Sequence, residues 1–260
     1  MLQSLPIFWL SVLASLSAGL ATGVGALPVF ALHRVSQRAQ VAMLGFGAGV
    51  MLAASFFSLL VPALAAAGGA QHPMSAALVV AGGLLLGDIV VGLANRWLPH
   101  EHFVKGREGI APERLKQIWL FVLAITLHNF PEGLSVGVGF GTGQVDNGLA
   151  LTIGIALQNM PEGLAVALAL HAAGDSRLRA FWLALLTGLV EPIGAALGAG
   201  VIVLSAAVLP VALAFAAGAM LYVISGEIIP ETHRGPAAGL ATQGVLAGFV
   251  LMMVLDVALG

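Results

Sequence analysis

Residues 117–140, QIWLFVLAITLHNFPEGLSVGVGF, and residues 149–171, LALTIGIALQNMPEGLAVALALH, decide how this chain is read. Each run is long enough to cross the bilayer core as a helix, which takes about 20 predominantly apolar residues. Each also carries the same polar phrase near its centre: His128-Asn129-Phe130-Pro131-Glu132-Gly133 is answered by Gln158-Asn159-Met160-Pro161-Glu162-Gly163. The rest of the chain is equally apolar. Of its 260 residues 59% are hydrophobic and 8% charged, whereas a soluble domain carries about 25% charged residues. There is too little polar surface to cover a soluble globule, so the expected class is an all-α integral membrane protein, a single transmembrane domain over 1–260.

Apolar stretches between polar or Gly/Pro punctuation predict eight transmembrane helices near 8–32, 41–62, 74–98, 117–140, 149–171, 179–203, 209–229 and 239–259, with a loop at about 99–116. The first run lacks the basic n-region of a cleavable signal and is expected to be retained as a helix. All ten basic residues fall in odd-numbered loops or their flanks: Arg34, Arg38, Arg96, Lys105, Arg107, Arg114, Lys116, Arg177, Arg179 and Arg234. By the positive-inside tendency those loops are cytoplasmic and both termini extracytoplasmic. The expected location is the cell (inner) membrane. Glycines four apart, such as Gly45 and Gly49 or Gly83 and Gly87, mark close helix packing and need no functional role. A net charge of −2 gives no sign of nucleic acid, and the absence of cysteine excludes thiolate ligands and disulfides.

Six of the twelve acidic residues, Asp88, Glu132, Glu162, Glu191, Glu227 and Asp256, fall inside predicted spans. An ionised group there costs at least a few kcal/mol unless it is paired, protonated or bound to a cation. No Lys or Arg is deep in a span, so the compensating charge is a proton or a metal ion. His128 and Glu132 are four apart, as are Gln158 and Glu162, so each pair shares a helix face and can grip one ion; Asn129 and Asn159 stand one step round. Each proline removes an intrahelical hydrogen bond and releases the carbonyl of Leu127 or Leu157. Interrupted helices at corresponding places point to a transporter's midplane site. His128 and Gln158 both lie roughly 14 to 16 Å into their spans at 1.5 Å per residue. Glu191, followed by Pro192, is similarly central in the sixth span, and Met51 in the second. Asn95 and Ser58 are candidate pathway residues, and interhelical hydrogen bonding is the structural alternative for any one of these side chains.

The twin phrases, Glu191-Pro192 on the sixth span and Ser225-Gly226-Glu227-Ile228-Ile229-Pro230-Glu231-Thr232-His233 ending the seventh, resemble the ZIP (Zrt/Irt-like protein) family of divalent-metal transporters, compact prokaryotic members above all. Met43-Leu44-Gly45-Phe46 and Met51-Leu52-Ala53-Ala54-Ser55 extend the resemblance to the second span. It implies eight helices in a 3+2+3 arrangement, with helices one to three and six to eight as inverted repeats around four and five, usually as a homodimer. It also implies two adjacent metals. One would use Met51, His128, Glu132, Gln158 and Glu162; its neighbour would use Asn129, Glu132, Asn159, Glu162 and Glu191, with the shared glutamates bridging. Relatives often have Asp or His where this chain has Gln158 and Asn159, so the second position is short of charge here. Gly226 stands where some relatives carry a histidine, which weakens an exit site on Glu227 and His233. His100 and His102 resemble the family's metal-binding cytoplasmic loop.

The expected function is therefore transport of a divalent transition-metal cation into the cytoplasm by alternating access, with the metal as substrate and no organic cofactor. Imidazole, carboxylate and carbonyl ligands suit Zn²⁺, Cd²⁺, Fe²⁺, Mn²⁺ or Co²⁺, and zinc is the default. The rival from another class is an intramembrane zinc-dependent hydrolase. Its spacing is wrong, since a zinc peptidase helix reads His-Glu-x-x-His, and the chain is not expected to be an enzyme. A metal-free, proton-coupled carrier of organic solutes is a third reading, which the lone imidazole and paired Pro-Glu-Gly segments disfavour.

Overall fold

The computed structural model describes the backbone of residues 6–32, 36–97, 100–102, 106–108, 117–143, 145–172 and 175–259, and the side chains within them except at 100–102, 106–108, 117–125, 127, 128, 172, 206 and 259. Helices run through nearly all of it: α1 (Ile7–Ala26), α2 (Gln37–Ala53), α3 (Val61–Ala66), α4 (Pro73–Trp97), α5 (Gln117–Phe140), α6 (Val145–Ala172), α7 (Arg177–Gly188), α8 (Glu191–Leu204), α9 (Leu209–Val223), α10 (Ile229–Thr232) and α11 (Ala238–Leu259). Two short antiparallel strands, β1 (His100–His102) and β2 (Gly106–Glu108), pair Glu101 with Arg107 in the loop before α5.

Seven stretches among the described residues are long and apolar enough to cross a membrane: Ile7–Phe30, Gln37–Ala66, Pro73–Trp97, Val145–His171, Arg177–Leu204, Leu209–Thr232 and Ala238–Ala258. The 24-residue α5 has comparable length and carries the first Pro-Glu-Gly phrase. In lipid every backbone polar group must find a partner within the protein, so helix irregularities need local causes. Here the causes are prolines. π-helical turns at Ala54–Leu60 and Ile224–Ile228 run directly into Pro62 at the start of α3 and Pro230 at the start of α10. A proline cannot donate to the carbonyl four residues back, and widening the turn relieves the ring. The carbonyl that Pro62 leaves, on Ser58, accepts from Asn147 Nδ2 of α6 at 3.2 Å. Pro192 breaks the helix between α7 and α8, where it takes a first-turn position that needs no donor.

Glycine pairs set the closest approaches. A Cβ added to Gly45 or Gly49 of α2 would strike the backbone of Ala241 or Val245 in α11, and one added to Gly244 or Gly248 would strike Ala42 or Phe46 in return. Packing this close supplies the dispersion contact that holds membrane helices together where lipid is as apolar as leucine. By the same backbone contact α4 rests on α9, while α1 lies along α6 and α5 along α8. Met51, Leu59, Leu151, Leu213, Met220 and Met252 join α2, α6, α9 and α11 in the main apolar cluster.

Candidate metal site

Four helices meet around the two Pro-Glu-Gly phrases. Asn129 and Glu132 on α5, Gln158 and Asn159 on α6, and Glu191 opening α8 are all buried, and Glu162 is half-buried. Why α8 reaches this level follows from Gly133 and Gly194: a Cβ on Gly133 would overlap the backbone of Glu191, and one on Gly194 would meet the carbonyl of Phe130. The glycine of the first phrase thus brings the glutamate of α8 against the glutamate of α5. The glycine of the second phrase, Gly163, lies in the same way against the backbone of Thr22 on α1.

Neighbouring amides on α6 bind the two acids. Gln158 Nε2 donates to Glu132 Oε1. Asn159 Nδ2 donates to Glu191 Oε1 at 2.6 Å and to the Ala18 carbonyl of α1 at 2.9 Å. Glu132, Glu162 and Glu191 lie within electrostatic reach of one another. Several polar atoms have no hydrogen-bond partner among the described residues: both side-chain atoms of Asn129, Gln158 Oε1, Asn159 Oδ1 and Glu191 Oε2. Buried polar groups are normally satisfied, so such a concentration in an apolar bundle marks a place for water or an ion.

The donor set is oxygen-rich, with three carboxylates and three amide oxygens. His128 stands one residue before Asn129 on α5, and its side chain lies outside the described residues. Among the described residues no three His, Asp or Glu side chains close into a ready coordination shell. The Gln158 and Asn159 nitrogens engage one oxygen each of Glu132 and Glu191.

The other sequence candidates are placed as follows. Met51 is fully buried in the apolar cluster, one turn beyond Gly47, whose added Cβ would lie 3.6 Å from Gln158 Cβ. Both ring nitrogens of His233 are engaged, Nδ1 with Thr232 Oγ1 and the Ile229 carbonyl at 3.0 Å each, and Nε2 with Thr242 Oγ1 at 3.2 Å. Glu227, in the π turn, lines an apolar cavity of about 110 Å³ with Asn95 and Pro131. Asn95 Nδ2 donates to Tyr222 Oη at 3.1 Å. The side chains of His100 and His102 lie outside the described residues, and Asp88 is half-exposed on α4. Toward the end of α11, Ser58 Oγ donates to Asp256 Oδ1 at 2.5 Å. What sequence reading missed is α1: the Ala18 carbonyl has no side-chain signature, although Ser11, Ser15 and Thr22 repeat at helical spacing on that face.

Comparison with known proteins shows the family. The family model described as ZIP Zinc transporter matches residues 110–256. The zinc transporter GufA of Myxococcus xanthus is 52% identical over 248 residues, covering 95% of this chain and 98% of that protein. The zinc transporter ZIPB of Bordetella bronchiseptica is 50% identical over 251 residues, 96% of this chain and 81% of that protein. The human zinc transporter ZIP11 is 36% identical, covering 92% and 94% of the two chains. This chain belongs to the ZIP family of metal transporters.

Proposed function

We propose that the protein carries a divalent metal, Zn²⁺ by default, across the inner membrane into the cytoplasm through the site between α5, α6 and α8. The observation that carries this reading is the cluster of Glu132, Glu162 and Glu191 beside unsatisfied amide oxygens, in a chain whose ten basic residues all lie in or beside loops. A cation is the natural partner for such a group, and the relatives' names point to zinc. Cd²⁺, Fe²⁺, Mn²⁺ and Co²⁺ fit the same ligand types. Loading requires Gln158 to turn its oxygen toward the ion, while His128 supplies the nitrogen ligand and Met51 a thioether. Because the α6 half contributes amides instead of acids, one tight metal and a weak neighbour on Asn129, Asn159 and Glu191 are expected.

Helices one to three and six to eight act as inverted repeats about α5 and α6, in a 3+2+3 plan. The matched pairings support it: α1 with α6 corresponds to α8 with α5, and α2 with α11 to α9 with α4. So do the two π turns ahead of Pro62 and Pro230. Alternating access follows when one helical group shifts against the other. Both termini lie outside and the active form is a homodimer, with the loop histidines His100 and His102 and the Glu227–His233 region on the cytoplasmic exit side. A hydrolase reading has no support from the family or from the site.

Metal uptake into proteoliposomes tests the proposal. Accumulation above that of empty vesicles, lost in His128→Ala, is the expected result; hydrolysis of peptide or lipid without uptake would refute it.

A further inference from the structure

Most buried serines and threonines in these helices follow one habit, although Ser58 turns to Asp256 instead. Ser11, Ser55, Ser135, Thr152 and Thr187 each donate to a carbonyl three or four residues back, at 2.7 to 2.8 Å. This is the ordinary resort of a hydroxyl in an apolar bundle, since it needs no other helix. Ser15 and Thr22 of α1 depart from it: both are 0% exposed, and neither hydroxyl has a hydrogen-bond partner among the described residues. They flank Ala18, whose carbonyl holds Asn159, and at three and four residues' distance they stand about 4.5 and 6 Å along the axis to either side of it. The backbone between them lies on the site. A Cβ added to Gly19 would come 3.6 Å from Glu191 Oε1, and one added to Gly188 would come 2.6 Å from Thr22 Oγ1. Glycine at 19 and 188 lets the two backbones meet, the nearest atom to each added Cβ being the other's carbonyl oxygen, with Glu191 Oε1 and Thr22 Oγ1 beside that contact.

We infer that Ser15, the Ala18 carbonyl and Thr22 form a further wall of the metal path, with the two hydroxyls binding the cation or its retained waters as it passes the Asn159–Glu191 pair. The chemistry fits a partly hydrated divalent ion. Hydroxyl and carbonyl oxygens are neutral ligands, too weak to trap an ion by themselves yet able to replace part of its hydration. The Ala18 bond also holds the Asn159 amide in one orientation, with Oδ1 left for the ion. This inference rests on the transport reading of the same site and adds α1 to it.

The absence of cysteine in the chain makes the test direct, since any cadmium–thiolate absorption must come from an introduced residue. Ser15→Cys, Thr22→Cys, the site control Asn129→Cys and the outward-facing control Ser17→Cys would be purified and titrated with Cd²⁺, following the ultraviolet charge-transfer band. Bands from Ser15→Cys, Thr22→Cys and Asn129→Cys but not Ser17→Cys are expected. A band from Asn129→Cys alone overturns the role of α1 and leaves the site standing. Silence at all four positions, with no Cd²⁺ bound by the wild-type chain, overturns both. As a check that does not depend on cysteine, Ser15→Ala with Thr22→Val should weaken Cd²⁺ binding about tenfold at unchanged metal-free melting temperature. Unchanged affinity contradicts the inference.

Discussion

Gly133→Ala is a one-methyl change that tests how the site is assembled. The new Cβ would overlap the carbonyl oxygen, carbonyl carbon and Cα of Glu191, all backbone atoms that no rotamer change can clear. The start of α8 must therefore shift on the order of 1 Å from α5, at a packing cost of about 1–3 kcal/mol. The same shift draws the Glu191 carboxylate away from Glu132, and a 1 Å misplacement of a ligand group can cost up to about 10²-fold. Gly82→Ala on α4 is the control, since its added Cβ meets nothing within 4 Å. It should stay within about 0.5 kcal/mol of wild type. Thermal melting in detergent measures the stability change, and initial uptake rates in proteoliposomes measure the functional one. Gly133→Ala transporting as fast as Gly82→Ala would refute the claim that this glycine positions Glu191.

Other outcomes follow from the same geometry. Gln158→Leu removes the amide oxygen proposed to turn toward the ion and should weaken Cd²⁺ binding at least tenfold, about 1.4 kcal/mol, by isothermal titration; an unchanged constant would contradict its role. Bound metal requires deprotonated carboxylates and neutral imidazole, so affinity should fall steadily as pH is lowered; a flat profile between mildly alkaline and mildly acidic pH would count against those ligands. Zn²⁺ at 100 times its dissociation constant should stabilise the fold by about 2.7 kcal/mol, seen as a rise in melting temperature that chelator reverses and His128→Ala lacks.

The membrane class was legible because it follows from composition: runs of about twenty apolar residues in a chain with few charges leave no soluble alternative. Which helices touch was not. Gly45 and Gly49 announce that some backbone comes close, but only the folded bundle shows that it belongs to α11, with Gly244 and Gly248 returning the contact. Local consequences of proline were partly readable. Pro192 signals a freed carbonyl at Gly188, while the packing of that carbonyl against Gly19 of α1 depends on tertiary structure. At the site, spacing put His128 with Glu132 and Gln158 with Glu162 on shared faces, whereas the hydrogen bonds of Gln158 and Asn159 to carboxylates run between helices, to Glu132 and Glu191. The Ala18 carbonyl could not be anticipated, since every residue has one and only the fold selects which is used.

The central claim is that the paired Pro-Glu-Gly phrases build one transport site, and counting bound metal tests it most directly. Equilibrium dialysis with Zn²⁺, read by elemental analysis, should give a single tight equivalent per wild-type chain, none in Glu132→Gln with Glu162→Gln, and a second in Asn159→Asp. Tight binding that survives loss of both glutamates would contradict the account.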